Sequence, residues 1–374
     1  MPDHCRFVLL CCLALVCWCR PALAAEVVLL HSTAEPDAWT EAVGSGLRQA
    51  LDGVAEVGEL YPGTPLDDED RIAGRFDEIS RRWADRPVAA VVTDGPTAFA
   101  FIRKYREDLF AGAPVVYCGT PRPEPEYLRQ CGECAGVPLE YAVRETVDLI
   151  YALRPETSLV AGIMDGSPKS VRLRRRLEAA MALRGREAAL IFPGHEPGDD
   201  RGLDPSSLAD VAMGMPGLGV VLVLSVQQDN AGNPLSVSQA VKILTEKSVA
   251  PVYVLSRDLV GAGALGGVVV RGEDQGRAAG NLVRRALVGE RLGEMLAEAP
   301  SAVAVADLSV MARLGMSADA LPSGAERLNA LPTTKEPEGL SPAGAGVAFL
   351  AAVVLVLAYV LLRRSANGRG GRLR

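Results

Sequence analysis

The sequence predicts an α/β fold of doubly wound parallel sheets, and three observations carry that expectation. Apolar runs of strand length recur along the chain, at residues 27–30, 88–92, 113–117, 159–164, 220–224 and 251–255. They lack polar alternation, as strands covered on both faces do. Each run ends in a short polar loop, and helical patterns lie between them. Strands alternating with helices argue for a parallel sheet with helices on both sides.

The clearest unit is 87–105. Its run 88–92 meets Thr93-Asp94-Gly95-Pro96, which is turn and N-cap chemistry, and Ala98, Phe99, Phe101 and Ile102 follow at helical spacing. Pro96 suits a first helical turn, where its missing N–H costs nothing. The loop lies at the carboxyl end of the strand, where open α/β sheets bind ligands.

In chain order, 27–30 leads to His31-Ser32-Thr33 and a helix near 39–51, with a strand at 54–60 and a helix at 72–83. The run 113–117 leads to Cys118-Gly119-Thr120. The Pro/Gly/Cys stretch 121–136 reads as a crossing between a first array, 26–137, and a second, 138–269. The second opens on a helix at 143–153. Its strand 159–164 leads to Asp165-Gly166-Ser167 and a helix at 169–183. Residues 193–205 read as a surface loop. The run 220–224 leads to Ser225–Gln228, a polar turn and a helix at 237–244, and 251–255 leads to Ser256-Arg257-Asp258. A strand at 268–270, a helix at 273–287 and a strand at 302–305 follow.

Composition bounds the function. The 374 residues are 49% hydrophobic and 23% charged, as in ordinary globular proteins. A net charge of −7 gives no support for nucleic-acid binding. Residues 1–24 read as a secretory signal, with an apolar core at 7–19 and a small-residue cleavage site at Ala22-Leu23-Ala24. Residues 331–342 read as a linker. The uncharged run from Ala343 to Leu362 would rise about 30 Å as a helix, enough to span a bilayer. The basic tail 363–374 would then be cytoplasmic. The expected location is the cell membrane, single-pass, with the folded part outside the cytoplasm.

Cys131 and Cys134 have C-x-x-C spacing within a Gly-rich stretch beside Glu133. Two readings stand: a disulfide that pins a loop, or a redox pair, which would need a thiolate at a helix N-terminus.

Certain segments resemble a known family. They are VVLLHS at 27–32 with Trp39, TDGPTAFAFIRKYREDLF at 93–110, APVVYCG at 113–119, VLVLSVQQDNAGNPLS at 221–236, APVYVLSRDLVGAGALGG at 250–267 and GEDQGRAAGNL at 272–282. In order and spacing they resemble the ABC-transporter substrate-binding-like proteins. That family has the type I periplasmic binding protein fold and includes aromatic-amino-acid binders and receptor sensor domains.

The resemblance implies two Rossmann-like lobes joined by a hinge. It assigns a return segment 270–293 to lobe I and 294–330 to lobe II. It also implies binding of a small solute between the lobes, without catalysis or cofactor, for an ABC permease or a membrane receptor or kinase. Carried over by position, the cleft would be lined by His31, Ser32, Thr33, Trp39, Thr93, Asp94, Gly95, Gly119 and Thr120 from lobe I. Lobe II would add Asp165, Gly166, Ser167, Ser225, Gln227 and Asp258.

Loop N–H groups and helix N-termini favour an anion. Asp94, Asp165 and Asp258 suit an ammonium or hydroxyls, so an amino acid or similar zwitterion fits. Asp94 and Asp165 equally suit helix caps, Trp39 suits a core, and His31 could bond its own loop. Val226, Gln227, Leu259 and Val260 make this cleft less aromatic than in the family's aromatic-amino-acid binders. Two other readings compete. One is a hydrolase-like enzyme on the same scaffold, against which there is no G-x-S-x-G, H-E-x-x-H or G-x-x-x-x-G-K motif. The other is a thiol oxidoreductase using Cys131 and Cys134.

Overall fold

The computed structural model describes residues 25–61, 69–83, 86–184, 188–195, 202–295, 299–330 and 355–359. The expected signal at 1–24, the linker at 331–342 and the tail at 363–374 lie outside them.

The first sheet is built from β1 (Ala25–His31), β2 (Ala55–Leu60), β3 (Val88–Asp94), β4 (Val115–Thr120) and β5 (Cys134–Pro138), all parallel, in the order β2-β1-β3-β4-β5. Successive strand residues point to opposite faces. Val27, Leu29, Ala90, Val92 and Val116 pack under α1 (Ala38–Leu51). Val28, Leu30, Val91, Val115 and Tyr117 pack on the other face, with residues of α2 (Glu69–Trp83), α3 (Pro96–Phe110) and α4 (Pro125–Cys131). The apolar runs are unbroken because both faces are buried.

The stretch 121–136, expected as a crossing, instead adds α4 and the edge strand β5 to this sheet. Pro125 sits in the first turn of α4, and a Pro- and Gly-containing strand is tolerated at a sheet edge. The backbone crosses to the second sheet after Pro138. Cys131 and Cys134 are joined in a disulfide across the turn between α4 and β5.

The second sheet repeats the pattern. The helix α5 (Val143–Leu153) precedes its first strand, β6 (Leu159–Met164), and α6 (Pro168–Arg184) follows it. Then come β7 (Ala189–Ile191), α7 (Pro205–Gly214), β8 (Gly219–Ser225), α8 (Val237–Lys247), β9 (Val252–Tyr253) and β10 (Gly266–Val269). The sheet order is β12-β11-β10-β9-β8-β6-β7. Its last two strands, β11 (Val303–Asp307) and β12 (Glu326–Leu328), come from the end of the fold, with β11 antiparallel to β10.

Between β10 and β11 the chain revisits the first sheet as α9 (Gly272–Leu287), which lies against α1. Gly272, Gly276 and Gly280 face α1. A Cβ on Gly276 would meet the Val43 carbonyl and, at 2.9 Å, the Leu47 nitrogen, and one on Gly46 would meet the Glu273 carbonyl. Glycine at every fourth position lets the two helices run side by side with their backbones nearly touching. Gly272 meets Trp39 and Gly280 meets Ala50, so the two helices run parallel with their starts level.

The expectation of a single-pass cell-membrane protein is corrected. No helix among the described residues is long and apolar enough to cross a membrane. Of the run from Ala343 to Leu362, only residues 355–359 are described, as helix. That is about 7.5 Å of rise, against a hydrocarbon core of about 30 Å.

Candidate ligand-binding cleft

In a sheet of order 2-1-3-4-5, ligands bind outside the strand ends where the winding reverses. In the first sheet that point lies between β1 and β3, whose last residues, His31 and Asp94, are register partners. In the second it lies between β6 and β8, where Met164 pairs with Ser225.

At the first switch point His31 is fully buried. Its Nδ1 lies 2.9 Å from Asp94 Oδ2 and its Nε2 3.8 Å from Glu59 Oε2, and its ring stacks on Tyr61 at 4.5 Å. Burial works against a charged imidazole, but the hydrogen bond to Asp94 and the nearby Glu59 carboxylate outweigh it and raise the His31 pKa. In return, the adjacent His31 ring, helped by the Tyr61 hydroxyl and Arg48, holds the Glu59 carboxyl down at about 2 despite burial. The Trp39 indole donates to Asp94 Oδ1 at 3.1 Å. Asp94 is only 3% exposed and both its oxygens are engaged, so it joins β1, β3 and α1.

The surrounding loop is tightly built. Gly95 has φ 95° and gives α3 no side-chain cap, so Ser32 Oγ accepts the Ala98 N–H at 3.0 Å instead. Gly119 has φ 65°, and a Cβ there would strike the Asp94 carboxylate. Its N–H donates to Gln275 Oε1 at 3.2 Å, while Gln275 Nε2 donates to Pro138 O at 3.4 Å. Thr120 is buried, and its carbonyl accepts the Leu139 N–H. The hydroxyl oxygens of Thr33 and Thr93 are buried and have no hydrogen-bond partner among the described residues.

At the second switch point Asp165 is buried and holds the loops together. Its Oδ1 accepts from Ser167 N at 3.0 Å and Ser170 Oγ at 2.5 Å, and its Oδ2 accepts from Gln227 N at 2.8 Å. Burial pushes its pKa up, but these hydrogen bonds prevail and hold it below the usual range. Ser225 is buried beside it, while Gly166 and the Gln227 side chain are exposed.

Asp258 sits in a 3₁₀ turn at Arg257–Leu259 and accepts from the Ser256 hydroxyl. Burial raises its pKa, with the Asp37 charge adding to this, while Ser256 and Lys169 pull the other way. Asp37 is the N-cap of α1, so this carboxylate belongs to the opposite lobe.

Asp258 also lines a cavity of about 360 Å³ between the lobes. Ala38 and Ala42 of α1, Arg257 and Glu326 of the second lobe, and Arg271, Gly272 and Glu273 at the start of α9 complete its lining. Arg257 donates to Glu326 Oε1 through Nη2 at 2.7 Å, and Arg271 donates to Glu326 Oε2 at 2.6 Å. Of the residues expected from the sequence, only Asp258 lines this cavity. The sequence reading missed Arg257, Arg271 and Glu326. Arg257 adjoins Asp258 and Arg271 precedes α9, but Glu326 lies in a short late strand that carries no sequence signal.

No protein-family model matches the chain, and no curated protein matches it. Among solved structures, the chain is similar to an ABC domain in complex with L-Trp from Streptococcus pneumonia, with TM-score 0.57, 16% identity, and 82% of this chain and 99% of that one covered. A conserved domain protein from Vibrio cholerae gives TM-score 0.58 and 14% identity, over 82% of this chain and 99% of that one. A substrate binding protein with adhesive properties from Clostridium difficile, in ligand-free open form, gives TM-score 0.57 and 12% identity over 81% and 99%. At these identities the likeness is one of fold: the chain has the fold of ABC-transporter substrate-binding proteins.

Proposed function

We propose that this protein is a solute-binding protein that captures a small polar ligand between its two lobes and presents it to an ABC permease. The observation that carries this reading is the interlobe cavity, whose walls come from α1, from the 3₁₀ turn at Arg257–Leu259 and from the hinge. Its volume of about 360 Å³ is near the lower end of ligand pockets, roughly 300–1,000 Å³. Ligand contacts made by both lobes favour a closed state, since only that state satisfies them together. The similar structures bear on this through their own descriptions: one holds L-Trp and another is called a substrate binding protein.

Binding without turnover fits the cleft chemistry better than catalysis. His31, the natural candidate for a general base, is buried and lies between two carboxylates. The ligand is amino-acid-like or another small anion or zwitterion, because the cavity presents both signs of charge. The test is mass spectrometry of small molecules released on denaturing the purified full chain, followed by adding each one back in a melting experiment. A recovered small polar molecule that raises the melting temperature supports the reading. Recovery of none, with no solute raising the melting temperature, overturns it.

A further inference from the structure

Cys131 ends α4 and Cys134 begins β5, and their disulfide closes the turn at Gly132 and Glu133. Arg106 of α3 donates from Nη1 to the Cys131 carbonyl at 3.0 Å and stands 3.6 Å from Cys131 Sγ. Its Nη2 holds the exposed Glu107 carboxylate at 2.7 Å, so Nη1 is the end given to the cysteine. A guanidinium beside a sulfur favours the thiolate. The carboxyl end of the seven-residue α4 works the other way, but it sets the partial charge of a helix terminus against the full charge of Arg106.

Cys134 lines a second cavity of about 360 Å³, separate from the one at Asp258. Arg122 and Arg129 line it too, with Tyr117, Leu128 and Met295 as its apolar surface. No acidic residue among the described ones lines it, although Arg129 also pairs with Glu126 at 2.6 Å. Cys118 stays out of any thiol chemistry here, because burial and the Asp94 charge push its thiol up and keep it protonated.

The turn between the two cysteines is tied to the passages between the lobes. Glu133 Oε2 accepts the Leu292 N–H at 3.1 Å, and a Cβ on Gly293 would meet the Gly132 carbonyl at 2.9 Å. Leu292 is buried against the first sheet, and beyond Met295 the chain leaves for β11 in the second. The other passage starts directly after β5, at Pro138.

We propose that the Cys131–Cys134 bond is a thiol–disulfide exchange site for small thiols that carry a carboxylate, and that its reduction loosens the Leu292 anchor. The carboxylate is held by Arg122 and Arg129 while the incoming thiolate attacks Cys134 Sγ. A bond forms between the two sulfurs, the Cys131–Cys134 bond breaks, and its electron pair leaves on Cys131 Sγ as a thiolate beside Arg106. A second thiolate attacks the small-molecule sulfur of the mixed disulfide and releases Cys134, which takes a proton from water. Two small thiols are oxidised to their disulfide as the protein disulfide gains two electrons. The exchange does not depend on solute binding in the cleft.

The test incubates the purified full chain with glutathione, with uncharged 2-mercaptoethanol and with cationic cysteamine, at equal thiolate concentrations. Free thiols are alkylated at intervals and read at Cys131 and Cys134 by peptide mass spectrometry, with Cys118 as the buried control. Glutathione should reduce the bond in the folded protein, about tenfold faster than cysteamine does. Arg106→Gln should slow the reduction about tenfold, because the leaving thiolate loses its charged partner, and Arg106→Lys should recover most of the rate. The double variant Arg122→Gln, Arg129→Gln should lose the preference among thiols and keep the rate with 2-mercaptoethanol. Hydrogen exchange should be faster at the Leu292 amide in the reduced protein. A bond that resists all three thiols until urea unfolds the chain only pins the turn, and that result overturns the proposal. Equal rates with the three thiols overturn it too, as does Arg106→Gln reduced as fast as the wild type. If Arg106→Gln does not fold, the ranking of the thiols and the double variant still decide. Unchanged exchange at Leu292 after reduction would refute the loosening of the anchor.

Discussion

At the residue scale, the organising group is the buried imidazole of His31 with its two carboxylates. Its pKa is raised in the folded state from the ordinary 6.5. It therefore contributes stability that is complete below about pH 6.5 and fades as pH rises through the raised value. Glu59 has the opposite sign. With its pKa held down at about 2 from 4.5, its contribution is present above about pH 4.5 and lost as pH falls towards 2. Between those limits both are present. Melting temperatures measured from pH 4 to 9 should show the wild type losing stability on the alkaline side relative to His31→Gln. Parallel curves for the two proteins would mean that His31 is not the titrating group. Asp94→Asn should lower the ligand-free stability by about 1–3 kcal/mol, because it takes the hydrogen-bonded carboxylate away from a buried imidazole. A ligand-free unfolding curve that does not move, together with a weaker ligand response, would instead place Asp94 in direct contact with ligand.

At the element scale, the pairing of α1 with α9 fixes where the cleft lies. Trp39, Ala38 and Ala42 belong to the first turns of α1, and Arg271 and Gly272 open α9. These groups converge only because Gly272, Gly276 and Gly280 let the helices approach with their starts level. Gly276→Ala adds one methyl where the Val43 and Leu47 backbones already stand. Overpacking of that kind costs about 1–3 kcal/mol. Urea unfolding should show the loss, and the ligand response should weaken with it as α9 is pushed off α1. Gly289→Ala meets nothing within 4 Å, but its φ is 92°, so any cost there comes from backbone strain and not from packing. Equal losses at the two sites would argue that the close approach of the helices is unimportant.

At the scale of the whole molecule, two sheets of the same winding belong to two lobes that both line the cavity at Asp258. Each sheet closes its own switch point internally, through Asp94 in one and Asp165 in the other. The side chains left for a ligand stand at the hinge side of the cleft. Ala38 is exposed and lines the cavity from the first lobe. Ala38→Trp should fill that space and prevent closure. Exposed substitutions usually change stability by no more than about 0.5 kcal/mol, so the ligand-free melting temperature should hold while the ligand response disappears. A retained response would place the binding site elsewhere, towards Thr33 and Thr93, whose hydroxyl oxygens lack partners.

The chain by itself showed most of the strands and the loops that follow them, but not the short edge strands β7 and β12, because burial on two faces writes an unbroken apolar run and a loop writes Gly, Pro, Asp and Ser. It placed His31, Asp94, Asp165 and Ser225 at strand ends, and the structure has them there. It offered the local capping role that Asp165 Oδ1 fills with Ser167 and Ser170, but not the bonds that engage Asp94 and the other oxygen of Asp165, since hydrogen bonds across 55 to 63 residues leave no local pattern. Nor did it disclose β5, where Gly and Pro obscured an edge strand, or the meeting of Arg257, Arg271 and Glu326. Those three come from a loop, a hinge and a late three-residue strand. Only the return of α9 to the first sheet and of β12 to the second brings them together. Local sequence fixes which residues can form an element, but which charges share a cavity depends on contacts between segments far apart in the chain.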